Sequence, residues 1–593
     1  MYYHDGMRLR SQHLPFLVLL AIFVGIFLWG LSVGMLGHDY FYFFPKLLDG
    51  KWHFLRQGFA AFEYTAHFCG GFPEYANPQS LYYSLPQLFS LFLDLWVAAR
   101  ISIVLMIIAG YAGWYRFGRD IVRLSLPWSH IFALVITAHG FHFLHQIAGH
   151  IVFHTMPLIG WMLWILFAPG KDSWKTLLVR ASAFALLSAL IMHSGGYMVM
   201  IMLGFALLSF LSFLLGLGTT PFLSKVQIYG VRMITCGISA MIICSSKIVA
   251  VLSFVRHFPR ELPPEPFPEG VSTLAYIAQA LWHPFQSDNL YWDYGMPNWG
   301  AVHEYSMFIS PITLIGLILG IMLLWKIRNT LRSKLPFVIT VTIITVIMLL
   351  CIVQLTQSHG VIFTLLKPLP VMKALHVNMR YLYAFSFPLI ALSIWCLERA
   401  VRESRFAKRG TQIAFMAGVI TLIAFPVAYW SLLHGETLPR TLPYEVIQKA
   451  LQEKPDFLLD NVELAYDMRG LGHSGFVPLL QAGNHVYCSE PMLLGSSKLP
   501  NTLVVGPVAQ IYNDAYNLYN PACMVYPKEN TCQPGDRIQS NDQKNFEAFV
   551  SGEATDWKVS TVQSFADVLS LVMLIGSIVV TIYGLWLYKK ENR

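Results

Sequence analysis

The stretch PFLVLLAIFVGIFLWGLSVGMLGHDYFYFFP, residues 15–45, decides how the rest of the chain is read. Its first part, Pro15 to Leu36, is a 22-residue apolar run without a charge. That is long enough to cross the roughly 30 Å hydrocarbon core of a bilayer. It is too long for the apolar region of a secretory signal, and no small-residue cleavage site closes it, so it reads as an uncleaved first span. Arg8 and Arg10 precede it, which puts the N-terminus on the cytoplasmic side. At the far end His38 and Asp39 stand at the lip of the span, ahead of a run of aromatics. A carboxylate there is costly to desolvate, and ionisable residues at that depth are commonly kept for function.

The remaining sequence follows the same pattern. Of 593 residues, 55% are hydrophobic and only 12% charged, against roughly 25% charged in a soluble domain. Mean hydropathy is +0.52. Further runs of spanning length lie near 99–117, 127–143, 151–168, 178–194, 197–217, 227–253, 306–326, 336–354, 380–398, 411–432 and 567–588. With the first run these make twelve spans, and Leu81–Trp96, short and interrupted by Pro86 and Asp94, is either half-embedded or a thirteenth. Twelve spans place the clusters Arg116–Arg123, Lys171–Arg180, Lys225–Arg232, Lys326–Lys334 and Arg399–Arg409, and the closing Lys589, Lys590 and Arg593, on the side of Arg8 and Arg10. Both termini are therefore expected in the cytoplasm. The net charge of +8 records topology and not affinity for nucleic acid.

The expected fold is a polytopic α-helical membrane protein with a small extracytoplasmic α/β domain. Residues 1–432 form the membrane module, with a first outer loop at 37–80. Residues 433–566 form the outer domain, with an amphipathic helix at 444–453 and a short strand at Thr502–Val508. Residues 567–593 form the last span and a cytoplasmic tail. Cys523 and Cys532, nine positions apart on the outer side, suit a local disulfide better than a metal, since no histidine pair accompanies them. Cys236, Cys244, Cys351 and Cys396 lie inside apolar runs and read as packing residues.

Candidate chemistry gathers outside the membrane. The first outer loop sets His53, Glu74, Asn77 and Gln79 among aromatics, after an interfacial helix at 40–56. The segment HGFHFLHQIAGHIVFHT, residues 139–155, spaces His142 with His145, and His150 with His154, as helix-face pairs. No HExxH glutamate goes with them, so lining a polar pocket suits them better than binding a metal. Lys247 is a lone cation in the apolar run Gly230–Phe254, with Arg256 and Arg260 just beyond. Arg380 opens a span after KPLPVMKALHVNM, which includes His376. Basic residues on the outer face are not explained by the positive-inside rule and would suit an anionic ligand, a phosphate above all. DNLYWDYGMPNWGAVHEYSMF, residues 288–308, mixes Asp293, His303 and Glu304 with tryptophans, as a surface for sugar rings and hydroxyls requires.

An aspartate after the first span, an interfacial helix and a phosphate-friendly outer face together resemble the GT-C class of membrane glycosyltransferases. More closely, the chain is similar to the YfhO-like bacterial membrane proteins. That likeness is carried by GGFPEYANPQSLYYSLPQLFSLF, GHIVFHTMPLIGWMLWIL, HEYSMFISPITLIGLIL and LPVMKALHVNMRYLYAF. The resemblance implies inverting transfer of a sugar from a polyprenyl-phosphate donor lipid to an envelope glycan, lipid or protein acceptor. It implies a site on the outer face of a bacterial inner membrane. It makes Asp39 the general base, with His38 tuning it, and gives the donor phosphate to Arg380, with Lys247, Arg256 and Arg260 as further cations. No DxD pair is present, and HQIAGH stands where related enzymes carry a second acidic motif. A metal-free transfer without cofactor is therefore expected. A transporter or flippase of a lipid-linked glycan would also want many spans and a basic cavity, but no internal repeat of the kind transporters show is found.

Overall fold

The computed structural model describes residues 2–32, 35–37, 39–170, 173–216, 222–260, 272–282, 302–326, 335–373, 375, 377, 379–429, 440–443, 459–463, 483–485, 499 and 503–591. Among these, eight helices are long and apolar enough to cross a membrane, and four shorter apolar helices accompany them. Each of the twelve expected runs falls on one of these helices, and the chain is a polytopic helical membrane protein.

Helix α1 (Tyr2–Ser32) carries the first span. It leads through strand β1 (Met35–Gly37) into α2 (Tyr40–Gln57), the amphipathic helix expected at the interface. The segment Leu81–Trp96 does not span. A six-residue helix, Leu85–Ser90, is capped by Ser84, and Asp94 then starts a new helix, α3 (Leu95–Asp120). The Asp94 carboxylate accepts from Trp96 N at 2.9 Å and Val97 N at 3.3 Å, the geometry of an N-cap.

The third run folds as two helices, α4 (Leu126–Thr137) and α5 (Gly140–Ala148), and is wholly buried. It packs against α1 and α3. Helix α6 (Trp174–His193) follows further on. The run 227–253 is also divided, into α7 (Phe222–Ile243) and α8 (Ser245–His257). The break falls where Ser246 meets the last helix of the chain: its backbone N donates to Ser570 Oγ at 2.9 Å. A short helix α9 (Val302–Tyr305) precedes α10 (Pro311–Lys326). Then come α11 (Arg380–Glu403) and α12 (Gly410–Ala428).

The described parts of residues 433–566 are of α/β type and rest on the loop that follows α2. Strand β2 (Arg440–Pro443) runs antiparallel to β1, with Leu36 opposite Leu442. Asn461–Glu463 sits between Gly483–His485, parallel, and Gly506–Pro507, antiparallel. Ile511–Tyr512, Ala515–Tyr519 and Arg537–Gln539 form an antiparallel sheet. The strand expected over Thr502–Val508 is reduced to two residues. In its place the Asn517 side chain pairs with the backbone of Val504, at 3.0 Å to its N–H and 2.6 Å to its carbonyl. Thr502 and the helix expected at 444–453 lie outside the described residues. Cys523 and Cys532 form a disulfide, and Cys69, in the first outer loop, is disulfide-bonded as well. Tyr519 N donates to Gly70 O at 2.7 Å, and Gln57 Nε2 to Gly552 O at 2.8 Å, which fastens the segment to the loop. The last helix, α13 (Thr561–Glu591), returns to the membrane beside α6 and α8.

Candidate active site

Asp39 is the N-cap residue of α2. An aspartate there ordinarily accepts from the backbone N–H groups of the first helical turn. Asp39 makes no such side-chain bond. Its Oδ2 lies 2.8 Å from His150 Nε2 instead. A carboxylate oxygen only accepts, so His150 Nε2 carries the proton in this pair.

Two glycines make the approach of these residues possible. Gly149 ends α5 in the left-handed conformation, φ +101°, as a residue just past a helix end often does. A Cβ on Gly149 would lie 2.3 Å from Tyr40 N, and one on Gly37 would lie 2.2 Å from Ile147 O. The lip of the first span therefore packs backbone to backbone against the end of α5. Asp39 N donates to Ala148 O at 3.0 Å, and the Tyr40 hydroxyl donates to Gln146 O at 2.7 Å.

The turn at Gly149 also decides which histidines meet. His150 and His154 were expected as a helix-face pair, but α5 has ended before them and His154 hydrogen-bonds to Ile151 O. His150 instead swings back onto His145, ring centroids 4.9 Å apart. His303 from α9 closes the group, 4.8 Å from the His150 ring and 5.3 Å from His145.

Glu304 and Arg380 complete the site. Arg380, the first residue of α11, lays its Nε and Nη2 on the two Glu304 oxygens, with Nε at 2.7 Å from Oε2. His145 Nε2 is 3.2 Å from the same Oε2, and its Nδ1 donates to Phe141 O at 2.8 Å. Burial opposes ionisation of Glu304, but the Arg380 guanidinium and His145 beside it hold its carboxyl well below the usual carboxylate range. Four separate stretches thus converge: 39, 145–150, 303–304 and 380. The Asp39 side chain is the most open member, 29% exposed, against 5% for Glu304.

One atom each from His145, His150 and Glu304 falls within 4.8 Å of the others, so these three can hold a divalent metal. Both Glu304 oxygens already face Arg380, and a metal would have to displace the guanidinium.

The other expected site residues lie elsewhere. Lys247 belongs to a second network: its buried Nζ donates to Tyr75 O at 2.7 Å and Asn77 O at 2.8 Å. Glu74 forms a buried ion pair with Lys46 at 3.0 Å. Asn77 accepts from Gln79 N through its side chain. These four therefore shape the turn-rich loop, and Lys247 is not brought beside Arg380 by any contact among the described residues. His53 stacks on Phe62, centroids 4.4 Å apart. Arg256 is exposed at the end of α8 and Arg260 half-buried after it. His38, Asp293 and His376 lie outside the described residues. His145 is the member that the sequence pattern did not assign to the site. Its signal was the IAGH sequence, where a helix-ending glycine sets His145 and His150 five positions apart on facing sides of a turn.

No protein-family model matches the chain, and no curated protein matches it. Among solved structures it is similar to the cryo-EM structure of the arabinofuranosyltransferase AftD from Mycobacteria, with 15% sequence identity and a TM-score of 0.41. The match covers 79% of this chain and 31% of that one, so the chain spans about a third of that protein's length. A likeness at that score does not decide the fold.

Proposed function

We propose that the chain is a membrane glycosyltransferase of the GT-C type, acting on the extracytoplasmic face of a bacterial inner membrane with both termini in the cytoplasm. It moves a sugar from a polyprenyl-phosphate donor to an envelope acceptor. One observation carries the reading: the Asp39 carboxylate is withheld from capping its own helix and is oriented by His150, beside the Arg380–Glu304–His145 group.

In this reading the acceptor hydroxyl lies against Asp39. As its oxygen attacks the anomeric carbon, the O–H proton passes to the carboxylate. The bond from that carbon to the phosphate oxygen breaks, and polyprenyl phosphate leaves with the electron pair. Attack opposite the leaving group inverts the anomeric centre. Arg380, aimed by Glu304, balances the charge gathering on the phosphate. His150 donates to Asp39 and holds the carboxylate turned toward the hydroxyl. The Arg380 cation occupies the charge partner that a metal would need, so transfer proceeds without one, and chelator leaves the rate unchanged.

The test follows label from a panel of radiolabelled undecaprenyl-phosphate sugars into non-extractable envelope polymer, using membranes that contain the full chain. Asp39→Asn lowers turnover by about 10²- to 10⁴-fold with thermal stability unchanged. Arg380→Lys keeps the charge, loses the two-pronged geometry and raises the donor KM about tenfold or more. Equal transfer by wild type and Asp39→Asn would end the reading.

A further inference from the structure

A second group of polar side chains, unused by the transfer chemistry, lines a cavity of 640 Å³. The cavity lies between the first outer loop, the C-terminal ends of α6 and α7, the start of α8, Tyr526 and the N-terminal part of α13. Its wall along α13 changes character with depth. Gln563 and Asp567 come first, then Leu571 and Leu574, one helical turn after another. Ala189 and Ile243 continue the apolar part. The polar part holds Glu63 and Asp567 among the rings of Tyr64, Tyr75, Tyr83 and Tyr526. Among the described lining residues there is no lysine or arginine.

The hydrogen bonds of this wall leave acceptors unmet. Asp567 Oδ1 takes bonds from Ser246 Oγ at 2.5 Å and Gln563 Nε2 at 2.6 Å. Gln563 Nε2 also reaches Ser246 O at 3.1 Å. The Gln563 amide is thereby oriented, and its Oε1 is buried with no partner, in a residue only 3% exposed. The Tyr64 hydroxyl is likewise buried without one. An orphaned buried acceptor is costly, and it calls for a donor. The Lys247 ammonium lies behind Tyr75, 5.0 Å from its ring, and is held by the carbonyls of Tyr75 and Asn77, whereas the wall itself presents two carboxylates, which disfavour phosphate and sulfate heads. The Tyr75 ring already carries Lys247, and the rings of Tyr64, Tyr83 and Tyr526 are the ones that would attract a further cation. The apolar stretch calls for a hydrocarbon tail.

We propose that this cavity binds an amphiphile whose head is a protonated primary amine. The ammonium lies among the tyrosine rings, between Glu63 and Asp567, and donates to Gln563 Oε1. The chain runs along Ile243, Leu571 and Leu574. Burial, and after it the Asp567 charge, push the Glu63 carboxyl up to about 7. A cation therefore binds in exchange for the Glu63 proton. His193 is also in the wall, and the pH dependence near 7 is carried by Glu63. This inference is independent of the transfer reading.

The test is native mass spectrometry of the full chain released from a non-ionic micelle, with dodecylamine as the probe. One dodecylamine is retained per chain at about pH 8, and its affinity weakens about tenfold per unit as pH falls below about 7. Glu63→Gln, close in shape, lowers the affinity about tenfold or more and flattens that profile. Leu571→Trp, which fills the apolar part, abolishes retention without touching the carboxylates. Dodecyl sulfate is not retained. Equal retention of dodecyl glucoside would assign the cavity to a neutral hydroxyl head and overturn the proposal. So would dodecylamine binding that neither variant changes.

Discussion

At the scale of single residues, the sequence marked Asp39 by its position and Arg380 and Glu304 by their company. What it could not mark is the use each group makes of its neighbours. Glu304 was read as a sugar-binding carboxylate, yet both its oxygens hold Arg380. Glu304→Gln leaves a buried guanidinium without its counter-charge. It should destabilise the chain by about 3 kcal/mol or more, seen as a fall in thermal midpoint in nanodiscs. The pH dependence has a definite sign. The folded pKa of Glu304 lies below its ordinary value of 4.5. The stability it contributes is thus complete above 4.5 and is lost as pH falls toward the lower folded value. In Glu304→Gln the acid limb of the stability profile should be shallower. An unchanged limb would show that the ion pair is not held in solution.

At the scale of elements, the twelve apolar runs were legible because spanning a bilayer demands length and hydrophobicity together. Their interruptions were not. The break between α4 and α5 and the one before Ser245 fall inside expected runs, and the stop of α5 at Gly149 is a turn fixed by backbone contact with Tyr40. Gly149→Ala should therefore be damaging although it adds one methyl group. The new Cβ would meet Tyr40 N at 2.3 Å, at a φ that favours glycine. Lower stability together with reduced transfer is expected, since the same turn delivers His150 to Asp39. Lys247 offers the parallel case. Its partners are backbone carbonyls, and carbonyls leave no trace in a residue pattern. Lys247→Met should cost about 2 kcal/mol or more by stranding the carbonyls of Tyr75 and Asn77. The donor KM should stay within about twofold of wild type if Lys247 shapes the loop and leaves the phosphate to Arg380.

At the scale of the molecule, the described residues beyond α12 are tied to the chain around α2 by β1 with β2 and by Tyr519 with Gly70. Cys523 and Cys532 close a short loop, and their joint replacement by serine should lower stability by about 2–3 kcal/mol. Reducing agent, which also opens the Cys69 disulfide, should cost the wild type more than that. The account places the donor phosphate at Arg380 and the acceptor hydroxyl at Asp39, where four distant stretches of sequence meet. The most direct test is a cryo-EM map of the full chain in nanodiscs with undecaprenyl phosphate added. The account predicts phosphate density within hydrogen-bond reach of the Arg380 guanidinium, on the side where Asp39 is open. Lipid phosphate bound elsewhere, with Asp39 and His150 closed over an empty site, would contradict it.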